Sequence, residues 1–275
     1  MTEANAIVAI TSRENALIKE LRKLGQDSTA YRKTGRIWIE GEHLCSAYMQ
    51  RGHAAAMVLF SESFLNKNNG FVPVEYAQAA TKMIVIADSV MAEITALESV
   101  AGMGMVCELP PTMQIEPQAP SVILDRLQDP GNVGSILRSA AAFGYQQVIA
   151  LKGTAALYSP KVLRAGMGAH FGLRLIEGAS PDNLHSLQLP LASTSSHQGE
   201  YLHHLLQKKE LLAQYPRGFN WVLGHEGQGV SPALQALASL HVRIAQPGGE
   251  ESLNAAAAAA ICLHGSATFY NVRQV

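Results

Sequence analysis

A chain of 275 residues with 48% hydrophobic side chains is long enough for one large domain or two ordinary ones, and it can bury a sizeable core. Its formal net charge of −1 excludes a protein that coats nucleic acid by bulk charge, so any contact with RNA must be local. No uncharged apolar run reaches the roughly 18 residues that a membrane span needs, and the N-terminus MTEANAIVAITSREN lacks the basic start and apolar stretch of a signal peptide, so a soluble, cytoplasmic protein is expected. Cys45, Cys107 and Cys262 are odd in number, widely spaced and set in apolar surroundings, which predicts buried free thiols. The histidines show no ligand spacing, and no metal site is expected.

Taken in order, Ser12 is the predicted cap of a helix reaching about Leu24, with Leu17, Ile18, Leu21 and Leu24 on one face. Between Ser12 and Arg36 seven basic residues (Arg13, Lys19, Arg22, Lys23, Arg32, Lys33, Arg36) face three acids (Glu14, Glu20, Asp27), a candidate RNA-contacting patch or simply a solvated helix face. Strands are predicted at Arg36–Glu40, Ala56–Phe60 and Lys82–Ala87, and helices at Glu42–Arg51 and Ser89–Leu97, which makes a small α/β unit over residues 1–107. Residues 108–120, ELPPTMQIEPQAP, carry four prolines and no periodicity, and read as a linker to a second domain over 121–275.

Beyond the linker, Val122–Asp125, the helical stretch Val133–Phe143 and Gln147–Leu151 form a predicted βαβ unit, with Val133, Ile136, Leu137, Ala140 and Ala141 on the buried stripe and Arg138 off it. Serine-proline pairs at Ser159, Ser180 and Ser231 announce three helices, serine capping and proline taking the first helical position. Strands at Leu173–Ile176, Leu189–Ser193, Trp221–Gly224 and Val242–Ile244 complete a mostly parallel sheet covered on both faces, an α/β fold. Pro247, Gly248 and Gly249 then bend the chain into a helix opened by six alanines, Ala255–Ala260, with Ser252 or Asn254 as its cap. Its smooth surface suits close packing, centrally or against its own copy in a second subunit.

Three stretches carry chemistry together. Asn132, Arg138, Ala140 and Gly144 stand in NVGSILRSAAAFG; Gly224, Glu226, Gly227 and Gly229 stand in LGHEGQG; Gly248 and Glu251–Asn254 precede the alanine helix. In this order they resemble the signature motifs of the SpoU-type branch of the SPOUT RNA methyltransferases, over roughly residues 120 to 270. The third motif departs from the family pattern at Ala245 and Gln246, where proline and methionine are usual. The N-terminal third resembles, more weakly, the L30e-related substrate-binding domain that often precedes the catalytic domain.

The resemblance implies a C-terminal trefoil knot, a homodimer, S-adenosylmethionine as methyl donor and a ribose 2′-hydroxyl of structured RNA as acceptor, ribosomal RNA being favoured over transfer RNA. It implies a cofactor pocket drawn from Thr194, Leu223, Gly224, Ile244, Ser252, Leu253 and Asn254. A cation beside the hydroxyl would stabilise the developing alkoxide, and Arg138 is the predicted one, its guanidinium hardly deprotonating in proteins. Asn132 and Glu226 are predicted to organise the site, although an asparagine before a helix is also an ordinary cap. Ser252 and Asn254 are predicted to contact the ribose or its phosphate. Other readings are a transfer RNA ribose methyltransferase, a base methyltransferase, and a non-catalytic RNA-binding or ribosome-assembly relative. A Rossmann oxidoreductase built on Gly166-Met167-Gly168 is disfavoured because a helix precedes those glycines and a strand follows them, the reverse of the fingerprint. No P-loop lysine-threonine ending is present.

Overall fold

The computed structural model describes residues 8–95, 100–215, 218–248 and 252–271. Its contacts divide the chain into two units, Met1–Pro111 with Tyr158–Phe171, and Thr112–Leu157 with Gly172–Val275.

The first unit holds β1 (Val8–Ile10), α1 (Ala16–Gln26), α2 (Ala30–Thr34), β2 (Arg36–Glu40), α3 (Glu42–Met49), β3 (Ala55–Ser61), α4 (Glu62–Lys67), α5 (Val74–Ala79), β4 (Ala80–Ile86), α6 (Asp88–Ile94) and β5 (Met103–Glu108). The strands run in the order β1-β4-β3-β5-β2; β4 pairs parallel with β1 and β3, and β5 pairs antiparallel with β3 and β2. The interior strand β5 was not foreseen, because MGMVCE is short and runs into the proline-rich stretch taken for a linker. The helix at the start is capped by Asn15, whose side chain accepts from the Leu17 amide, and not by Ser12, whose hydroxyl accepts from Glu14. Ile18, Leu21 and Leu24 are its buried stripe. The helix predicted over Ser89–Leu97 occupies Asp88–Ile94, and residues 96 and 97 lie outside the described residues.

The second unit holds β6 (Ser121–Asp125), α7 (Pro130–Ala142) and β7 (Gln147–Leu151). The next helix, α8 (Pro160–Gly166), is grouped with the first unit; its buried Val162 and Leu163 give it a core-facing side. There follow β8 (Arg174–Ala179), β9 (Leu191–Thr194), β10 (Glu200–Tyr201), α9 (Leu202–Leu205), α10 (Lys209–Gln214), β11 (Asn220–Gly224), α11 (Pro232–Leu237), β12 (Leu240–Arg243) and α12 (Ala255–Asn271). The sheet order is β10-β12-β9-β11-β6-β7-β8, and every described pairing is parallel. Such a sheet needs both faces covered, and β6, β7, β9 and β11 are accordingly buried almost throughout, β8, β10 and β12 less so. Ile123, Ile149, Ile176, Val222 and Leu234 cluster on one face. Alternation turns Val122, Leu124, Trp221 and Leu223 the other way, where Trp221 Nε1 donates to Ser266 Oγ of α12 at 3.0 Å.

Of the three serine-proline starts, Ser159 caps through its hydroxyl, which accepts from Val162. Ser231 instead donates its amide to Asp125, and Ser180 opens a 3₁₀ turn, Pro181–Ser186, where a full helix was expected. The proline-rich stretch is tied down: the Glu116 amide donates to Gln147 Oε1 at 2.8 Å, and Ile115 packs on the core. The three cysteines are buried and free.

Gly25 is where α1 meets the end of α6, since a Cβ there would lie 2.2 Å from the Ile94 carbonyl oxygen. Alanine improves helix propensity by about 1 kcal/mol, yet overpacking against fixed backbone costs about 1–3 kcal/mol. Gly25→Ala is therefore expected to lower stability, read as a lower urea midpoint by far-UV circular dichroism.

Candidate active site

Because β6, β9, β11 and β12 are parallel neighbours, their C-terminal ends fall on one edge of the sheet, the usual place for a ligand crevice in such folds. Of the helices that begin there, α7 and α12 frame the site. Asp129 caps α7, its Oδ1 accepting from the Asn132 amide at 2.7 Å, and Pro130 occupies the first turn. Asn254 caps α12, its Oδ1 accepting from Ala256 and Ala257 at 2.9 and 3.2 Å. Asn132 was expected to cap this helix; Asp129 does so instead, and the Asn132 side chain is released for other work. The aspartate-proline pair just before it was the overlooked signal.

That work is to join the three motifs. Asn132 Oδ1 accepts from Asn254 Nδ2 at 2.9 Å, and Asn132 Nδ2 donates to Glu226 Oε1 at 3.1 Å. The same carboxylate accepts the Asp129 amide on Oε1 and the Gln128 amide on Oε2, both at 3.1 Å. Partial burial pushes the Glu226 pKa up, but these donors outweigh it and hold the group below its ordinary 4.5. Glu226 stands in a tight loop closed by two bonds between the backbones of His225 and Gly229, at 2.8 and 3.1 Å. Gly224 is required at its base, since a Cβ there would lie 2.1 Å from backbone atoms of Gly229 and Val230.

Beside this network lies a cavity of about 350 Å³, lined among others by Thr194, Leu223, Gly224, Glu226, Ile244, Ser252, Leu253 and Asn254. Every residue named from sequence for the cofactor pocket is in its wall. Val242, Ala258 and Cys262 add apolar surface; burial raises the Cys262 thiol to about 12, so it stays neutral there. Gln246 also lines the cavity, its Oε1 buried and without a partner among the described residues. Gly249 and Glu251 lie outside the described residues. Arg138 is exposed on α7 and is not part of the cavity wall.

Sequence reasoning missed Asp125 and Arg126. Asp125, 1% exposed, accepts the Ser231 amide on Oδ2 at 2.6 Å and Arg126 Nε on Oδ1 at 3.0 Å. Arg126 adopts φ +60°, uncommon for a residue with a side chain, and its Nη1 reaches Gln228 in the glycine loop. No sequence signal pointed to either.

The basic stretch of the first unit is largely answered by acids. Arg13 and Arg22 share Glu93, Lys19 pairs with Glu14, and Arg36 with Glu20 and Glu108. The Arg32 guanidinium lies 5.4 Å from the Tyr31 ring centroid. Lys23 and Lys33 are exposed and help to lower the Asp27 pKa, whose main cause is the Thr29 amide bond.

The profile of the SpoU rRNA methylase family matches residues 119–264. The chain belongs to that family. Residues 15–103 match the MRM3-like substrate binding domain. The 23S rRNA (guanosine(2553)-2′-O)-methyltransferase RlmP of Bacillus subtilis is 26% identical over 258 residues, covering 93% of this chain and 97% of that protein. A crystal structure of an RNA 2′-O ribose methyltransferase superposes with a TM-score of 0.74 at 29% identity, covering 96% of this chain and all (100%) of that one. The fold is also that of the AdoMet-bound rRNA methyltransferase from Sinorhizobium meliloti, with a TM-score of 0.78 at 23% identity over 94% of this chain and 97% of that one.

Removing the Glu226 carboxylate should free the amides it holds. In Glu226→Ala, the Gln128 and Asp129 amides are expected to lose roughly tenfold or more in hydrogen-exchange protection, the equivalent of one hydrogen bond. Because the folded pKa is lowered, the wild-type bridge is fully present above pH 4.5 and weakens as pH falls through the lower folded value. Protection factors of these two amides measured against pH should follow that course, and unchanged protection in the variant would remove the bridge from its assigned role.

Proposed function

We propose that this protein transfers the methyl group of S-adenosylmethionine to a ribose 2′-hydroxyl of structured RNA, with ribosomal RNA ahead of transfer RNA as its substrate. The observation that carries this reading is the bond chain from Glu226 through Asn132 to Asn254, which gathers three separated motifs at one cavity. Family membership and the ribose methyltransferases among its relatives support it.

The cavity fits the cofactor in kind: a few hundred cubic ångströms, with apolar walls from Leu223, Ile244 and Leu253 for a nucleobase and the polar side chains of Thr194, Ser252 and Asn254 beside them. When bound, S-adenosylmethionine supplies a methyl group already activated on a sulfonium. The protein's share is then alignment and charge. Thr194, Leu223, Gly224, Ile244, Ser252, Leu253 and Asn254 hold the donor in this proposal. Asn132 and Glu226 fix the entry of α7, and with it the placing of the acceptor ribose. Arg138 acts from outside the cavity wall, six residues and about 9 Å of helix axis beyond Asn132, approaching from the RNA side. Its fixed positive charge favours the alkoxide that develops on the 2′-oxygen as the hydroxyl proton passes to solvent, and Arg138 does not itself take that proton.

In the first unit, the exposed Lys23 and Lys33 are offered to RNA phosphate, supported by the match to a substrate-binding domain, while Arg32 donates its Nε to the Tyr31 hydroxyl at 3.1 Å. Arg13, Lys19, Arg22 and Arg36 share their charge with acids and contribute less. The protein works as a homodimer in the cytoplasm in this reading. Apolar surface left open on α12, at Ala257 and at Ile261 with 42% exposure, supports the dimer.

Incubation of undermodified ribosomal and transfer RNA with labelled cofactor, followed by mapping, tests the reaction. Ribosomal RNA should acquire a 2′-O-methyl group, and Arg138→Ala should lose on the order of 10²–10³-fold in rate, as when a donor to a developing oxyanion is removed, with cofactor affinity unchanged. Full activity in the variant would dismiss Arg138, and a methyl group on a base or on transfer RNA alone would redirect the substrate. Ile261→Arg is expected to shift the mass in sedimentation equilibrium from dimer to monomer.

A further inference from the structure

The chain leaves α4 through a fixed turn that ends on an open aromatic residue. The Gly70 amide donates to the Leu65 carbonyl at 2.8 Å and the Asn69 amide to the Asn66 carbonyl at 3.2 Å, the paired bonds of a Schellman cap, with Asn69 in the left-handed region at φ +55°. Asn68 Nδ2 adds a bond to the Phe64 carbonyl at 2.9 Å, and the Phe71 amide is held by the Asn68 carbonyl at 3.0 Å. Two residues later Pro73 opens α5. The backbone of Phe71 is thus tied down, yet the residue is 74% exposed, the highest value for a large hydrophobic among the described residues; Val74 follows at 66%. The turn itself is polar. Asn66, Lys67 and Asn69 are exposed, and their side chains make no hydrogen bond or ion pair among the described residues.

We propose that Phe71 is a stacking platform for an unpaired nucleobase of the substrate RNA, with Asn66 and Asn69 supplying carboxamides for the edge of that nucleotide and Lys67 an ammonium for its phosphate. This rests on the reading of structured RNA as the substrate. The turn lies within residues 15–103, the part of the chain matched to a substrate binding domain. Every base has a π-face, and the bases of loops and bulges are the ones free to lie on an aromatic ring. A ring carried on a fixed backbone also loses little freedom when it is covered. A protein partner would call for a continuous apolar patch, whereas here amides and an ammonium group adjoin the ring in sequence. Charge does not draw RNA to this turn, because exposed Glu62 and Glu75 offset Lys67. Recognition therefore falls to stacking, and the first unit selects RNA that offers an unstacked base.

The test uses the full chain and ribosomal RNA transcribed in vitro. Phe71→Ala should weaken RNA binding by about tenfold, as when a stacking ring is removed, and should do so at low and high salt alike, since stacking releases no counterions. Its dissociation constant for S-adenosylhomocysteine should match that of the wild type, which shows that the variant is folded. Phe71→Trp should keep the RNA affinity, and fluorescence of the introduced tryptophan should be quenched as RNA is added, against a steady background from buried Trp38 and Trp221. Wild-type RNA affinity in Phe71→Ala overturns the proposal, as does a tryptophan left unquenched at saturating RNA. A defect confined to assembled ribosomal particles and absent on naked RNA assigns the ring to a protein partner and overturns it too. A wild type that binds neither ribosomal nor transfer RNA overturns the substrate reading, and this inference with it.

Discussion

One carboxylate holds the site together. Glu226 accepts two backbone amides from the approach to α7 and the side chain of Asn132, which in turn holds Asn254 at the start of α12. These groups lie 94 to 122 residues apart along the chain, so none of the bonds is local. A charged acceptor makes stronger bonds than a neutral one, and its several donors lower its pKa, which keeps it charged over the working pH range. A loop with a glycine at its base and a left-handed glycine at its end is needed to bring that carboxylate close to two helix starts.

The sheet explains why three such stretches can meet at all. In a parallel sheet every strand delivers its following loop to the same edge, and strand neighbours β9, β11 and β6 with β12 beyond bring four loops side by side. The buried faces of those strands fix the edge rigidly, so polar groups on the loops inherit their positions from apolar packing below them. Asp125 extends the arrangement inward, its buried carboxylate clamping the Ser231 amide beyond the glycine loop and orienting Arg126. The alanine run of α12 has a corresponding use. Small side chains let the helix lie against α7 and β11 on one side while its N-terminal turn forms cavity wall.

The first unit follows different rules. Its basic residues look from the sequence like a strong patch, yet Glu93 and Glu108, distant in sequence, take up the charge of Arg13, Arg22 and Arg36. Exposed pairs of this kind contribute little to stability, but they redistribute the field that RNA would meet. Lys23 on α1 and Lys33 on α2 stay exposed, consistent with a chain of near-zero net charge that must attract its partner locally.

The α/β alternation, the amphipathic stripe of α7, the βαβ unit and the three glycine- and asparagine-bearing stretches were legible in the sequence, because periodicity, turn chemistry and capping are local properties. So were seven residues that lie in the cavity wall, Thr194, Leu223, Gly224, Ile244, Ser252, Leu253 and Asn254, by resemblance of ordered motifs. Tertiary structure alone decided the rest: that Asp129 caps α7 and so frees Asn132, that Arg138 stays outside the cavity wall, and that β5 completes the first sheet. The physical reason is the same in each case. Local composition sets what a segment can do, whereas the pairing of donors and acceptors between segments a hundred residues apart depends on where packing has put them.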